Sequence, residues 1–147
     1  MKNLLGNTLL ALCVLLVGCG GGGDDAPATS PGPATLQVTD NTVGAGVAAA
    51  AGNTLTVHYT GWLYSATAPN NRGAQFGTSV GSAPLQFKLG TGQVIAGWDQ
   101  GLVGMKVGGT RTLLIPSSLG YGSTGAGGGA IPPNTGLVFT VDLLAVQ

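Results

Sequence analysis

Few side chains in this sequence could carry acid–base, nucleophilic or metal chemistry. There is one histidine, His58, and the acidic residues are five scattered aspartates, Asp24, Asp25, Asp40, Asp99 and Asp142. Both cysteines, Cys13 and Cys19, lie near the N-terminus. A metal centre needs clustered His, Cys or carboxylate ligands, and this spacing provides no such cluster. Gly77-Thr78-Ser79-Val80-Gly81 has the G-x-S-x-G spacing of a serine-hydrolase nucleophile turn. That motif requires a strand before it, a helix after it, and Asp then His further along the chain. Here no helical pattern follows and His58 comes first, so the stretch reads as a polar loop. Gly44-Ala45-Gly46-Val47-Ala48-Ala49 fits the looser dinucleotide fingerprint but lacks the acidic residue and the βαβ unit that give it meaning, and it reads as a turn. The glycines from 125 to 129 are not followed by Lys-Ser or Lys-Thr, so they do not make a phosphate loop. His58, between Val57 and Tyr59, reads as a hydrogen-bonded structural histidine. Either the domain only binds, or it catalyses a reaction that needs no proton transfer.

The elements that would position a site are mostly strands. LTVHYT alternates Leu55, Val57 and Tyr59 against Thr56, His58 and Thr60. LQFKL sets Leu85, Phe87 and Leu89 against Gln86 and Lys88, and RTLLI and LVFTVDLLAV continue the pattern, the last with Leu137, Phe139, Val141 and Leu143 inward. Period-two alternation marks strands with one buried face, usually in antiparallel sheets. Glycine-rich turns at 108–109 and 125–129 separate them. Only residues 93 to 105 read as helical, with Ile95, Trp98, Leu102 and Met105 forming one apolar stripe. The segment is a weak helix, because Gly97 and Gly101 each cost about 1 kcal/mol relative to alanine. It nevertheless holds one of the two tryptophans. The sheet must bury its inner face on something. The expected fold is α+β, an antiparallel sheet of about five strands curled around this short helix.

The N-terminus is of a different kind. Lys2 precedes an apolar run from Leu4 to Val17, which suits a signal-peptide core and is too short for a bilayer interior of about 30 Å. Leu16-Val17-Gly18-Cys19 resembles the lipobox of bacterial lipoproteins, which implies a leader over 1–18 and lipidation of Cys19. Cys13 would leave with the leader, and the mature chain would have neither thiol nor internal disulfide. Gly20 in place of an aspartate implies the outer membrane, facing the periplasm, if the cell is Gram-negative. Residues 19–34 read as the lipidated cysteine and a flexible linker, since GGGGDDAPATSPGP cannot bury enough apolar surface to order itself. Such a tether reaches roughly 20 Å. The domain is expected over 35–147. Its cations Arg72, Lys88, Lys106 and Arg111 and the five aspartates give the mature chain a net charge of −1. No basic patch is visible, so nucleic acid is not an expected partner.

VHYTGWL, QVIAGWDQGLVGMKVGG, LGYGSTGAGG and IPPNTGLVFTVDLL stand in the order and spacing of the FKBP-type peptidyl-prolyl cis-trans isomerases. The chain resembles that family from about Leu36 to the C-terminus. The resemblance implies a sheet wrapped around one short helix, as inferred above, with Trp98 as the floor of an apolar pocket between the two. It implies pocket walls from Tyr59, Phe76, Val94, Ile95, Tyr121 and Phe139, and a rim at Leu85 and Ile131. The Ile95 N–H and the Tyr121 hydroxyl would donate to the substrate. Taken singly, each of these residues could equally be core packing.

The chemistry this implies suits the inventory. The barrier to amide rotation, about 18–20 kcal/mol, is resonance lost on twisting. The twisted amide is the less charge-separated state, so an apolar pocket that strips water from the bond favours it over the planar one. No acid, base, metal or cofactor is required. Proline-containing segments of exported, folding proteins are the implied partners, together with the membrane through the lipid. Macrolide ligands are implied too, bound more weakly here because Gly77 replaces the aspartate usual after Phe76. Leu85 stands where an aromatic is frequent, and residues 64–75 are longer than in the minimal family domain and read as an exposed loop. The glycine run before Ile131 also looks one residue long, which would loosen the flap over the pocket. With no N-terminal helical domain before the linker, a monomer is expected. A second reading stays open at this stage: a tethered chaperone that holds proline segments without turning them over.

Overall fold

The computed structural model describes residues 31–147. The leader, Cys19 and most of the linker lie outside the described residues, and among those described no helix is long and apolar enough to cross a membrane. The strands are β1 (Gln37–Thr42), β2 (Thr54–Tyr64), β3 (Arg72–Thr78), β4 (Leu85–Lys88), β5 (Thr110–Ile115) and β6 (Leu137–Val146). All pair antiparallel in one sheet of order β1-β5-β6-β2-β3. Strand β4 also pairs with β2, against Thr54–Val57, whereas β3 takes the far half of the same strand from Thr60. The sheet is therefore five lanes wide and holds six strands, and the eleven residues of β2 are what allow two partners along one edge.

The one α-helix among the described residues, α1 (Ala96–Gly101), crosses the inner face. It is shorter than the 93–105 expected. Ile95 is its N-cap in an extended conformation (φ −61°, ψ 153°), and the helix stops at Leu102. The apolar stripe is nonetheless real: Trp98, Leu102 and Met105 are all buried. The last two reach the core from the turn after the helix, where Met105 N donates to Leu102 O. Periodicity reported which residues face inward and overstated how many are helical.

Its glycines are explained by packing. A Cβ on Gly97 would lie 2.6 Å from Ile115 Cγ2, and one on Gly101 would lie 2.8 Å from Leu113 Cδ2. Both leucine and isoleucine are fully buried on β5. The helix rests on that strand through bare backbone, and burial rather than propensity holds it. Its C-terminus is tied down by Arg111, whose Nη1 donates to the carbonyls of Gly101 (2.8 Å) and Val103 (3.1 Å) while Nε pairs with Asp40 Oδ1 on edge strand β1 at 2.6 Å. One guanidinium thus links β1, β5 and the helix end. Arg111→Met keeps the buried stem and leaves two carbonyls and a carboxylate without their donor. It is expected to cost about 2 kcal/mol in urea unfolding, and a loss below about 0.5 kcal/mol, the usual range of a surface substitution, would contradict this role.

Three sequence expectations change at this level. Pro31 and Gly32, assigned to the linker by composition, dock on the domain: Ser117 N donates to Pro31 O, and a Cβ on Gly136 would collide with the Gly32 Cα at 2.4 Å. The expected loop over 64–75 is shorter. Tyr64 still belongs to β2 and Arg72 to Gln75 already belong to β3. Asn70 and Asn71 make the reversal with φ of 54° and 59°, a region asparagine tolerates better than most residues. Finally, Val138 is fully buried although it lies on the face of β6 opposite Phe139. It sits in register between Leu114 and Trp62, so the outer face is apolar at this point.

Candidate functional site

Five aromatic rings meet where α1 faces the sheet. Trp98, 3% exposed, takes Tyr59 (β2), Phe87 (β4) and Phe139 (β6) at centroid distances of 5.4, 5.5 and 5.1 Å, the Tyr59 and Phe139 contacts edge-on. Phe76 of β3 stands edge-on to Phe139 at 5.5 Å. Edge-to-face rings add about 0.5–1.5 kcal/mol each beyond their burial, so the cluster is rigid. Gly61 makes it possible: a Cβ there would lie 2.5 Å from Phe76 Cζ and 2.8 Å from Phe139 Cε1.

The rings frame an open cavity of about 230 Å³. Tyr59, Phe76, Trp98 and Phe139 line it together with Val94, Ile95, Leu85 and Tyr121. All seven residues assigned to the pocket floor and walls are therefore brought together, and Leu85 joins them at the rim. Ile131 does not. It is 5% exposed and belongs to the core, closing the 126–131 turn through paired backbone bonds with Ala126. Those bonds also hold the glycine-rich segment at both ends, so the longer run does not leave its ends free.

Gln93 lines the cavity and was missed by the sequence reading. Its polar side chain next to Val94 and Ile95 gave no signal distinguishing it from a turn residue. Its Oε1 accepts the Lys88 N–H at 2.8 Å, which turns the remaining amide N–H groups free to donate. Asp99 steadies the same segment, accepting the N–H groups of Gly90 (2.9 Å) and Gly92 (3.1 Å). These two side chains position the 88–95 turn, and with it Ile95. Because Ile95 caps the helix in an extended conformation, its carbonyl takes Trp98 N and Asp99 N while its own N–H has no partner among the described residues.

The lining holds no charged residue. Its polar side-chain groups are the Gln93 amide, the Trp98 Nε1 and two phenols, and neither the Tyr59 nor the Tyr121 hydroxyl has a hydrogen-bond partner among the described residues. Burial, and secondarily the neighbouring Tyr59, raise the Tyr121 pKa above its ordinary 10.0. The Trp98 Nε1 is buried and also unpartnered. At Gly77, the residue after Phe76 on β3, a Cβ would meet nothing within 4 Å. What the arrangement can do is bind an apolar ring on the Trp98 face and offer N–H and O–H donors to carbonyls beside it.

Ser79 resolves the hydrolase-like motif. The fold brings it to His58 after all, with Ser79 Oγ 3.0 Å from His58 Nδ1. The hydroxyl is buried, however, and also accepts the Tyr59 N–H at 2.9 Å. The pair ties the loop after β3 to β2, and His58 is the structural histidine expected.

Comparison with known proteins agrees with this geometry. The family model for the FKBP-type peptidyl-prolyl cis-trans isomerase matches residues 46–144. An FK506-binding protein of Streptomyces anulatus is 50% identical over 123 residues, covering 83% of this chain and 94% of that one. One from Neisseria meningitidis serogroup A is 49% identical over 113 residues, with 76% and 96% covered. Among solved structures, the crystal structure of AtFKBP13 superposes with a TM-score of 0.66 at 36% identity, covering 82% of this chain and all of that one. The apolar pocket, the short helix beneath it and these matches together place the chain in the FKBP family, as a peptidyl-prolyl cis-trans isomerase of the FKBP type.

Proposed function

We propose that this isomerase acts on X-Pro bonds of exported polypeptides and does so by environment alone. The observation that carries the reading is a cavity without a charged group, floored by Trp98, with two unpartnered donors, the Ile95 N–H and the Tyr121 hydroxyl, at its side. The prolyl ring packs on the indole. The Ile95 N–H takes a carbonyl of the substrate, fixing the chain on one side of the bond. Losing water around the imide costs the planar, charge-separated form more than the twisted one. Macrolides that mimic such a segment enter the same cavity, without a carboxylate at position 77 to hold them.

A protease-coupled assay on a short X-Pro peptide tests this. The purified chain should raise the rate well above the spontaneous one, which takes tens to hundreds of seconds. Glycine at position 77, where the family usually carries an aspartate, favours one alternative, a pocket that holds proline segments without turning them. Gly77→Asp separates the two, since the site has room for the side chain. Activity in the parent establishes catalysis; activity only in Gly77→Asp establishes holding. No activity in either folded protein would sink the proposal.

The pH dependence has a definite sign. Tyr121 donates only while protonated, and its raised pKa keeps it so throughout the physiological range. The rate is expected to be flat from about pH 6 to 9 and to fall only above the ordinary tyrosine value of about 10. The same shift favours the folded state below that value, and this contribution is lost as pH rises through the folded pKa. A rate that declines between about pH 8 and 9 would contradict the assignment.

For location, the proposal is a lipid on Cys19, anchorage at the outer membrane facing the periplasm, and a monomeric domain on its tether. Labelled palmitate should enter the parent and not Cys19→Ser, and the parent should sediment with the outer membrane. Label in both proteins would refute the anchor.

A further inference from the structure

The outer face of the sheet, opposite α1, carries a second cavity that isomerisation does not use. Register sets Thr39, Thr112, Thr140, Thr60 and Thr78 in one row across all five lanes. The reversal before β3 lies against this face. Arg72 donates from Nη2 to Thr140 Oγ1 at 2.8 Å and stacks over the Trp62 ring, 4.2 Å from its centroid. Between Asn70, Asn71 and Arg72 on one side and β1 and β5 on the other lies a cleft of about 420 Å³, larger than the proline pocket.

Its chemistry differs from that pocket in every respect. The lining is a guanidinium, three asparagine amides, two threonine hydroxyls and Leu114, with no carboxylate. Arg72 has no ion-pair partner among the described residues, where the one salt bridge is Arg111 to Asp40. Its Nε is buried without an acceptor. A guanidinium already oriented by stacking and one hydrogen bond is suited to an oxyanion. The amides add acceptors beside it. Asn41 gives one Nδ2 N–H to Thr112 Oγ1 (2.7 Å), which leaves its second N–H to donate, its Oδ1 to accept and the Thr112 hydroxyl to donate. Asn71 gives one Nδ2 N–H to Ser65 O (3.1 Å), which leaves its Oδ1 to accept.

A ligand that uses both sets carries an oxyanion for the guanidinium and, beside it, hydroxyl groups, which can donate to the amide oxygens and accept from the remaining N–H and O–H donors. We propose that this cleft binds an acidic saccharide, with its carboxylate or phosphate on Arg72 and its ring hydroxyls on Asn41 and Asn71. Leu114 offers the apolar contact for the C–H face of the ring.

The test is an NMR titration of the ¹⁵N-labelled protein with sodium glucuronate, glucose 6-phosphate, glucose and inorganic phosphate. Saturable shifts at Thr39, Asn41, Asn70, Arg72 and Thr112 are expected with one of the first two sugars, and which of them binds tells carboxylate from phosphate. Affinity should fall about tenfold or more in Arg72→Gln, the loss of one charge-assisted hydrogen bond, and similarly with neutral glucose. The isomerase rate of Arg72→Gln should equal the parent's, which reports an intact fold. Asn41→Leu, which removes an acceptor and leaves the arginine, should weaken the sugar and not phosphate. No saturable shifts in the parent, equal affinity in Arg72→Gln, or inorganic phosphate binding as tightly as the sugar would each overturn the proposal.

Discussion

Replacing Trp98 with leucine is expected to lower kcat/KM for X-Pro isomerisation by about a hundredfold while the domain stays folded. Trp98 touches Tyr59, Phe87 and Phe139, and its indole is the floor of the cavity. Leucine keeps the floor apolar and so keeps much of the burial. What it removes is the flat surface and the edge contacts that fix the walls, and a misplacement of about 1 Å in a binding site is enough for a hundredfold loss. Stability should fall by less than the roughly 3–5 kcal/mol usual when a buried tryptophan is cut to alanine. Leucine is larger than alanine, and the substitution also deletes the buried, unpartnered Nε1. The two readouts are the peptide assay and a thermal melt. A folded Trp98→Leu protein with near-parental activity would show that the cavity floor takes no part in catalysis.

Gly97→Ala should destabilise the protein by about 1–3 kcal/mol, the usual cost of overpacking a close-packed site. Helix propensity alone predicts the opposite, a gain of about 1 kcal/mol. The contact decides between them. The new Cβ would meet Ile115 Cγ2 at 2.6 Å and Cδ1 at 2.8 Å, and Ile115 is fully buried with nowhere to retreat. Relief can come only by lifting α1 off β5, which would also move Trp98 and Ile95. Activity should therefore fall together with stability. Adding Ile115→Val removes the Cδ1 contact, and the double variant should be less destabilised than the two single losses predict, because the sites touch. A Gly97→Ala protein that melts above the parent would mean that the helix stands farther from the sheet than described.

Much of this protein could be read from its residues. Alternation in LTVHYT, RTLLI and LVFTVDLLAV marked three long strands, because a half-buried sheet forces a period of two. The pocket residues were legible only through four linked motifs resembling one family, since Tyr59, Phe76 and Phe139 look like core when taken singly. Gln93 escaped because its role is a backbone hydrogen bond to Lys88, and a polar residue in a turn carries no local sign of that. Ile131 was misplaced for the converse reason. Its position in a motif next to the flap suggested a rim, but its backbone pairing with Ala126 draws it into the core.

The sequence by itself determined the fold class and the inward-facing residues, because these follow from local periodicity and from which side chains exist at all. The tertiary structure decided what depends on distances between segments far apart in the chain. It shortened the helix to six residues by extending Ile95, which leaves that N–H without a partner among the described residues. It showed that the glycines of α1 are demanded by Ile115 and Leu113 rather than tolerated. It brought His58 to Ser79 across 21 positions and gave the pair a structural task. It also set Arg72 over Trp62 beside the edge strand, making a cleft from residues 39 to 114. No period or motif encodes such contacts, because they arise only when strands have paired in register and the sheet has curled.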